Sequence, residues 1–126
     1  MQEFSPFRLP LHVALDYAFV VVGFAAPWTL GFQAQTAAML YTLLLAAFGL
    51  GLNLITDYPG GAWKLLPFKW HRYVEWAAPP PFIVVPWLFF PDVGAMPYAL
   101  SALGIGIFAN ATLTRPARPA KVDGAG

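Results

Sequence analysis

The chain has 126 residues, 59% of them hydrophobic and 10% charged, with 11 Phe, 5 Trp, 5 Tyr and a mean hydropathy of +0.61. That is too apolar for an ordinary soluble domain of this size, so the expected class is an integral membrane protein. A net charge of +1 provides no basic field for nucleic acid, and the lack of cysteine excludes disulfides, thiolate metal sites and cysteine nucleophiles.

Four apolar segments follow in chain order, at roughly 11–32, 34–56, 69–90 and 96–113, each near the about 20 residues that carry a helix across a bilayer. They predict an all-α fold: one transmembrane domain over 1–126, built as a four-helix bundle. The first segment is expected to remain in the mature protein, because its apolar run is too long for a signal peptide, contains Asp16 and lacks a small-x-small cleavage site. The seven cations are Arg8, Lys64, Lys69, Arg72, Arg115, Arg118 and Lys121, and none lies in "GFQAQ" or "PDVGAMP". By the positive-inside rule both termini, the middle connection and a tail over 115–126 are expected on the cytoplasmic side. The other two connections, near Gly31–Ala34 and Pro91–Met96, are short enough to make tight hairpins.

"LHVALDY" at 11–17 and "WHRYVEW" at 70–76 share a skeleton. A shift of 59 positions places His12 on His71, Asp16 on Glu75, Tyr17 on Trp76 and Pro27-Trp28 on Pro86-Trp87 without a gap. The expected architecture is two tandem two-helix hairpin repeats, about 8–57 and 67–114. Two crossings per repeat keep both copies in one orientation, which implies a pseudo-twofold axis along the membrane normal.

The fragments "HVALDY", "APWTLGF", "NLITDYPGG", "KLLPFKWH" and "VPWLFF" resemble the SPW-repeat membrane proteins, whose unit is a two-helix hairpin with a Pro-Trp motif late in its first helix. The likeness covers about residues 11 to 91, with Ala26 and Val85 in place of the serine. It implies a small four-helix protein of a bacterial or archaeal membrane, hence a multi-pass protein of the inner (cytoplasmic) membrane, and it carries no catalytic residues.

Residues four apart share a helix face, so His12 can reach Asp16 and His71 can reach Glu75, or each can reach the acid of the other repeat in a crossed arrangement. Asp16 and Glu75 lie about 8 Å from the cytoplasmic ends of their helices at 1.5 Å per residue, which favours a structural polar pair over a midplane relay. Two alternatives accompany this reading. His12 and His71 could ligate a haem or a chlorophyll-type magnesium. The pairs could instead start a proton or solute path, although only Thr42, Ser101, Tyr41 and Tyr98 lie beyond them.

In the second repeat, Pro79, Pro80 and Pro81 replace three valines; they remove the donors for the carbonyls of Glu75, Trp76 and Ala77 and predict a break or bend near residue 78. Pro27-Trp28 and Pro86-Trp87 read as anchors at the non-cytoplasmic interface. Ala47 with Gly51, and Ala102 with Gly106, are spaced for close helix packing, while Asn53 and Asn110 call for interhelical partners. Trp63, Leu65, Leu66 and Phe68 are expected in the cytoplasmic interface, with Lys64 at the headgroups.

No nucleophile-base-acid set, phosphate loop or metal-ligand set is visible, so neither enzyme activity nor a bound cofactor or metal is expected. The sequence points to an accessory or structural subunit held by membrane lipids and by helix packing against other integral membrane subunits. The larger assembly is expected to be an energy-transducing complex, photosynthetic or respiratory.

Overall fold

A computed structural model describes residues 9–114; Arg8 and the tail cations Arg115, Arg118 and Lys121 lie outside the described residues. The chain is mostly helical: α1 is Leu9–Thr29 and α2 is Thr36–Ile55, followed by two-residue strands β1 (Thr56–Asp57) and β2 (Leu66–Pro67). Next come α3 (Phe68–Trp76), a π-helical turn (Pro80–Val84), α4 (Val85–Phe89) and α5 (Met96–Leu113). Three of these helices, α1, α2 and α5, are long and apolar enough to cross a membrane. The two strands, which the helical pattern of the sequence does not announce, pair in parallel, Thr56 with Leu66 and Asp57 with Pro67.

α1 ends where Gly31 turns to a left-handed conformation, and the amides of Leu30 and Phe32 close the turn on the carbonyls of Ala26 and Pro27. Gly31 at φ +76° and Gly94 at φ +45° let the two short connections reverse direction in a region that side chains avoid. These connections turn Phe32 and Val93 inward, where they meet Ala26, Ala38, Met96, Leu100 and Leu103 in the main apolar core. Packing at that end needs no polar partner. A smaller cluster of Val13, Tyr58 and Phe68 lies at the opposite end, beneath the middle connection.

The stretch from Phe68 to Phe89 is not one helix. The Ala77 amide still bonds the Tyr73 and Val74 carbonyls, and the Ala78 amide tightens onto the Glu75 carbonyl at 3.1 Å, so Glu75 keeps a donor three residues on rather than four. Helical geometry then resumes with π spacing, the Val85 amide bonding the Pro80 carbonyl. This register would require Pro86 to serve the Pro81 carbonyl, but proline has no N–H. The Tyr41 hydroxyl of α2 donates to that carbonyl instead, at 2.5 Å.

Of the two spaced pairs in α2 and α5 only Gly106 serves close helix approach, which otherwise uses other small residues. A Cβ at Gly23 would stand 3.1 Å from the Ala46 Cβ, and one at Gly104 would stand 2.6 Å from the Phe82 Cβ. Gly106 lies against the Phe19 ring, whereas Gly51, Ala47 and Ala102 face outward. The packing face of α2 is thus rotated away from the Ala47–Gly51 stripe. Gly104→Val is therefore expected to lower thermal stability in detergent by about 1–3 kcal/mol through overpacking against Phe82, while Gly51→Ala, which meets nothing, leaves it unchanged or raises it by up to about 1 kcal/mol.

Candidate functional site: a buried histidine–carboxylate quartet

α1 presents His12 and Asp16 on one face, and α3 presents His71 and Glu75 on the face opposite, because each pair is separated by one helical turn. All four are buried: His12 is 0%, His71 1%, Glu75 4% and Asp16 5% exposed. The contacts are both local and crossed. His12 Nε2 lies 3.2 Å from Asp16 Oδ2 and 2.8 Å from Glu75 Oε1; His71 Nε2 lies 3.0 Å from Asp16 Oδ2 and 2.6 Å from Glu75 Oε1. Two nitrogens and two oxygens thus alternate around one small ring joining α1 to α3.

The outer edges of the imidazoles are held by threonines at the ends of α2 and α5. The Thr56 hydroxyl donates to the Leu52 carbonyl at 2.5 Å, and the Thr114 hydroxyl donates to the Asn110 carbonyl at 2.7 Å. A carbonyl can only accept, so each hydroxyl proton is committed and each threonine oxygen is left to accept. His71 Nδ1–H donates to Thr56 Oγ1 at 2.6 Å, and His12 Nδ1–H donates to Thr114 Oγ1 at 2.6 Å. Both rings are therefore oriented with Nδ1 protonated and Nε2 turned to the carboxylates.

The carboxylates have outer partners of their own. The Asn110 amide donates to Asp16 Oδ1 at 3.1 Å and to the His12 carbonyl at 3.1 Å. The Tyr58 hydroxyl donates to Asp16 Oδ2 at 3.1 Å; burial, and then the Asp16 carboxylate, push that phenol well above its usual range and keep it a donor. Glu75 is treated differently. Among the described residues, the buried side-chain atoms with no hydrogen-bond partner are Glu75 Oε2, Asn53 Nδ2 and His71 Nε2, the last lying near its two carboxylates but off the line of a hydrogen bond.

Aromatic rings close the quartet from the side of the middle connection. Phe68 meets His12 edge-on at 5.0 Å between centroids, and Tyr58 stands 5.1 Å from His71. Phe68 is only 5% exposed, so it does not share the interfacial position of Trp63 and Leu65, which are 63% and 76% exposed; the N-terminal turn of α3 points it into the quartet. Tyr17 fastens the connection to α1 by donating to the Gly60 carbonyl at 2.6 Å, and Lys64 donates to the Tyr58 carbonyl at 3.2 Å.

The other residues singled out in the sequence lie elsewhere. Pro27 and Pro86 are fully buried, while Trp28 is exposed and Trp87 donates to Ser101 at 2.9 Å. Pro79, Pro80 and Pro81 sit at the break after α3, away from the histidines. Thr42 donates to the Ala38 carbonyl and Tyr41 to the Pro81 carbonyl, so each is occupied locally. The Asp16 and Glu75 carboxylate oxygens each lie against both Nε2 atoms. The residues that sequence reasoning passed over are Thr56, Thr114 and Tyr58. A signal existed: "NLIT" and "NATLT" each place a threonine one turn after an asparagine at a helix end.

Comparison with family models, with curated proteins and with solved structures finds no match to this chain. Its chemistry is argued from the quartet alone. Thr56→Val, which leaves the buried His71 Nδ1–H without its acceptor, is expected to cost about 1–3 kcal/mol in thermal unfolding in detergent, and Thr114→Val less, because His12 Nδ1–H keeps the Asn110 carbonyl at 3.2 Å. Asp16→Ala and Glu75→Ala should cost more, about 3–5 kcal/mol, by stripping a buried charge of its partner. A His12/Glu75 double-mutant cycle should be non-additive by at least about 0.5 kcal/mol; additive losses would mean that the crossed contact does not join the helices.

Proposed function

We propose that this protein is a non-enzymatic membrane subunit, an accessory or structural component that packs within a larger membrane assembly, and that the quartet locks its two halves together. In this reading the broken stretch from Phe68 to Phe89 makes a fourth crossing, and the halves are tandem hairpin repeats related by an approximate twofold axis along the membrane normal. The 59-residue shift and the SPW-like fragments support the duplication, as does the exchange of roles in the quartet, where each half supplies one imidazole and one carboxylate to the other. The termini and the middle connection lie on the cytoplasmic side of a bacterial inner membrane.

The observation that carries the accessory role is a difference between the two places where the halves meet. Along α1 and α5, Asn110 bonds Asp16. Along α2 and the α3 limb, the corresponding pair, Asn53 Nδ2 and Glu75 Oε2, has no partner, and a groove of about 270 Å³ opens between Leu45, Phe48, Gly49, Val74 and Phe82. An unsatisfied donor and acceptor beside an apolar slot suit the side chains of one partner transmembrane helix, which would supply packing and a single hydrogen-bonding group. In lipid such association is driven by close contact and interhelical hydrogen bonds, not by hydrophobic expulsion.

Two experiments test this proposal. The chain has no cysteine, so single cysteines at Gln33 and Asp92 should react with an impermeant thiol reagent from outside the cell, and one at Lys64 only after permeabilisation; the reverse pattern would overturn the orientation. Affinity purification in mild detergent should recover a larger complex at fixed stoichiometry. Gly49→Leu, which fills the groove, should cut that recovery at least tenfold with the isolated protein still folded, while Leu88→Ala on an exposed face should not. A free monomer or self-dimer alone, or one that moves protons or solutes in liposomes, would count against the accessory role.

A further inference from the structure

The quartet has a second property that a structural lock does not require. Its two imidazoles are both fixed with Nδ1–H turned outward onto threonine oxygens, so two Nε2 atoms and two carboxylate oxygens converge on one buried point. If nothing lay between them, four lone pairs would face one another in a medium of low dielectric. Only positive charge at the centre makes the arrangement stable: a proton on each ring, or one divalent cation.

We propose that the quartet is a divalent transition-metal site in which His12 Nε2, His71 Nε2, Asp16 Oδ2 and Glu75 Oε1 bind one first-row ion. The dimensions agree. The four donor atoms lie within 4.8 Å of one another. The N···O edges of the ring run from 2.6 to 3.2 Å, and a square with edges of about 2.9 Å has its centre about 2.05 Å from each corner, the length of an ordinary metal bond to imidazole nitrogen or carboxylate oxygen. Puckering that ring toward a tetrahedron lengthens the edges to about 3.4 Å at the same bond length, a movement of about half an ångström per edge.

Three independent features favour an ion at the centre over a purely hydrogen-bonded ring. His12 Nε2 hydrogen-bonds Glu75 Oε1 at 2.8 Å, but His71 Nε2 approaches two carboxylate oxygens closely and makes no hydrogen bond of acceptable angle, as expected of a nitrogen aimed at a common centre rather than at a neighbour. Each histidine donates its second ring nitrogen to a hydroxyl that is itself anchored, which is how metal-bound imidazoles are oriented. The groove beside α2 borders Asp16, His71 and Glu75, so the ring lies against open space and has room to adjust to an ion. Imidazole and carboxylate donors with no thiolate suit Zn2+, Cu2+, Ni2+ or Fe2+ rather than soft Cu+. A bound divalent ion would neutralise the two carboxylates and tie α1 to α3 directly. This proposal does not depend on the accessory role, and a metal site could be present or missing in a protein that does or does not join a complex.

The test uses the full chain, purified in detergent, stripped with a chelator and dialysed against Zn2+, Cu2+ or Co2+. One ion per chain should remain, the melting temperature should rise, and Co2+ should give visible d–d bands. Glu75→Gln keeps the volume of the side chain and can keep an acceptor toward His12, because the other Glu75 oxygen has no partner; Asp16→Asn keeps the volume but turns one acceptor of Asn110 or Tyr58 into a donor. Each should weaken binding at least 100-fold and remove the Co2+ bands, with the helical circular dichroism retained in Glu75→Gln. Thr56→Val, outside the ligand set, should weaken binding about 10- to 100-fold. Should the carboxamide variants fail to fold, stoichiometry and the Co2+ spectrum of the unaltered protein decide alone. Less than 0.2 ion per chain for all three metals, stoichiometric Co2+ binding without d–d bands, or affinity unchanged in folded Glu75→Gln would overturn the site.

Discussion

Two carboxylates are buried between helices, Asp16 and Glu75 being only 5% and 4% exposed, and an unpaired charge there would cost several kcal/mol. Much of the arrangement at this end of the molecule follows from that constraint. α1 and α3 must face each other at the same depth so that His12 and His71 can reach both Asp16 and Glu75. α2 and α5 must end level with the quartet so that Thr56 and Thr114 can accept from the imidazoles. The middle connection must fold back beneath it, because Tyr58 donates to Asp16 and Phe68 covers His12. The β1–β2 pairing and the bond from Tyr17 to the Gly60 carbonyl are the means by which so short a segment is held there.

The core at the opposite end is apolar, with the hydrogen bond from Trp87 to Ser101 at its margin. Phe32, Val93 and Met96 close an apolar core between two tight turns, with Gly104 pressed against Phe82. Between the two ends, the prolines after α3 change the direction of the limb, and the π turn leaves the Pro81 carbonyl to Tyr41. That hydroxyl joins α2 to the limb above the groove, while Asn53 and Glu75 remain unjoined below it. The same pair of elements is thus fastened at one level and open at another.

The letters of the sequence made some of this legible. The three long helices follow from apolar runs of about 20 residues, since length and composition alone determine whether a segment can cross a bilayer. The spacing of His12 with Asp16, and of His71 with Glu75, shows that each pair shares a face, because one helical turn is local geometry. The crossed contacts are not local: they depend on how α1 and α3 are rotated about their own axes, which packing decides. The same rotation turns Phe68 inward and leaves Gly51 outward, against a reading from the apolar pattern and from small-residue spacing. In a segment that is hydrophobic on nearly every side, no amphipathic stripe marks the inner face. Thr56 and Thr114 were hidden for a different reason: a threonine at a helix end ordinarily serves its own backbone, and here the backbone bond is what frees the oxygen for histidine.

The distance in sequence between the partners of the quartet bears on how the protein is made. α1 emerges from the ribosome with a histidine and an aspartate near its end, and the residues that neutralise them, His71 and Glu75, are about sixty positions behind. If the chain enters a membrane as proposed, the first hairpin holds, until α3 arrives, a polar pair that hydrocarbon does not solvate, at an insertion cost on the order of 2.5–3.5 kcal/mol for a centrally placed acid and less near a helix end. The placement of Asp16 close to the end of α1 keeps this waiting state affordable, since the headgroup layer and its water remain within reach. Under the proposed two-hairpin architecture assembly has a direction: the first hairpin inserts as an unfinished half, and the second completes it by bringing its own unfinished charge to the same point.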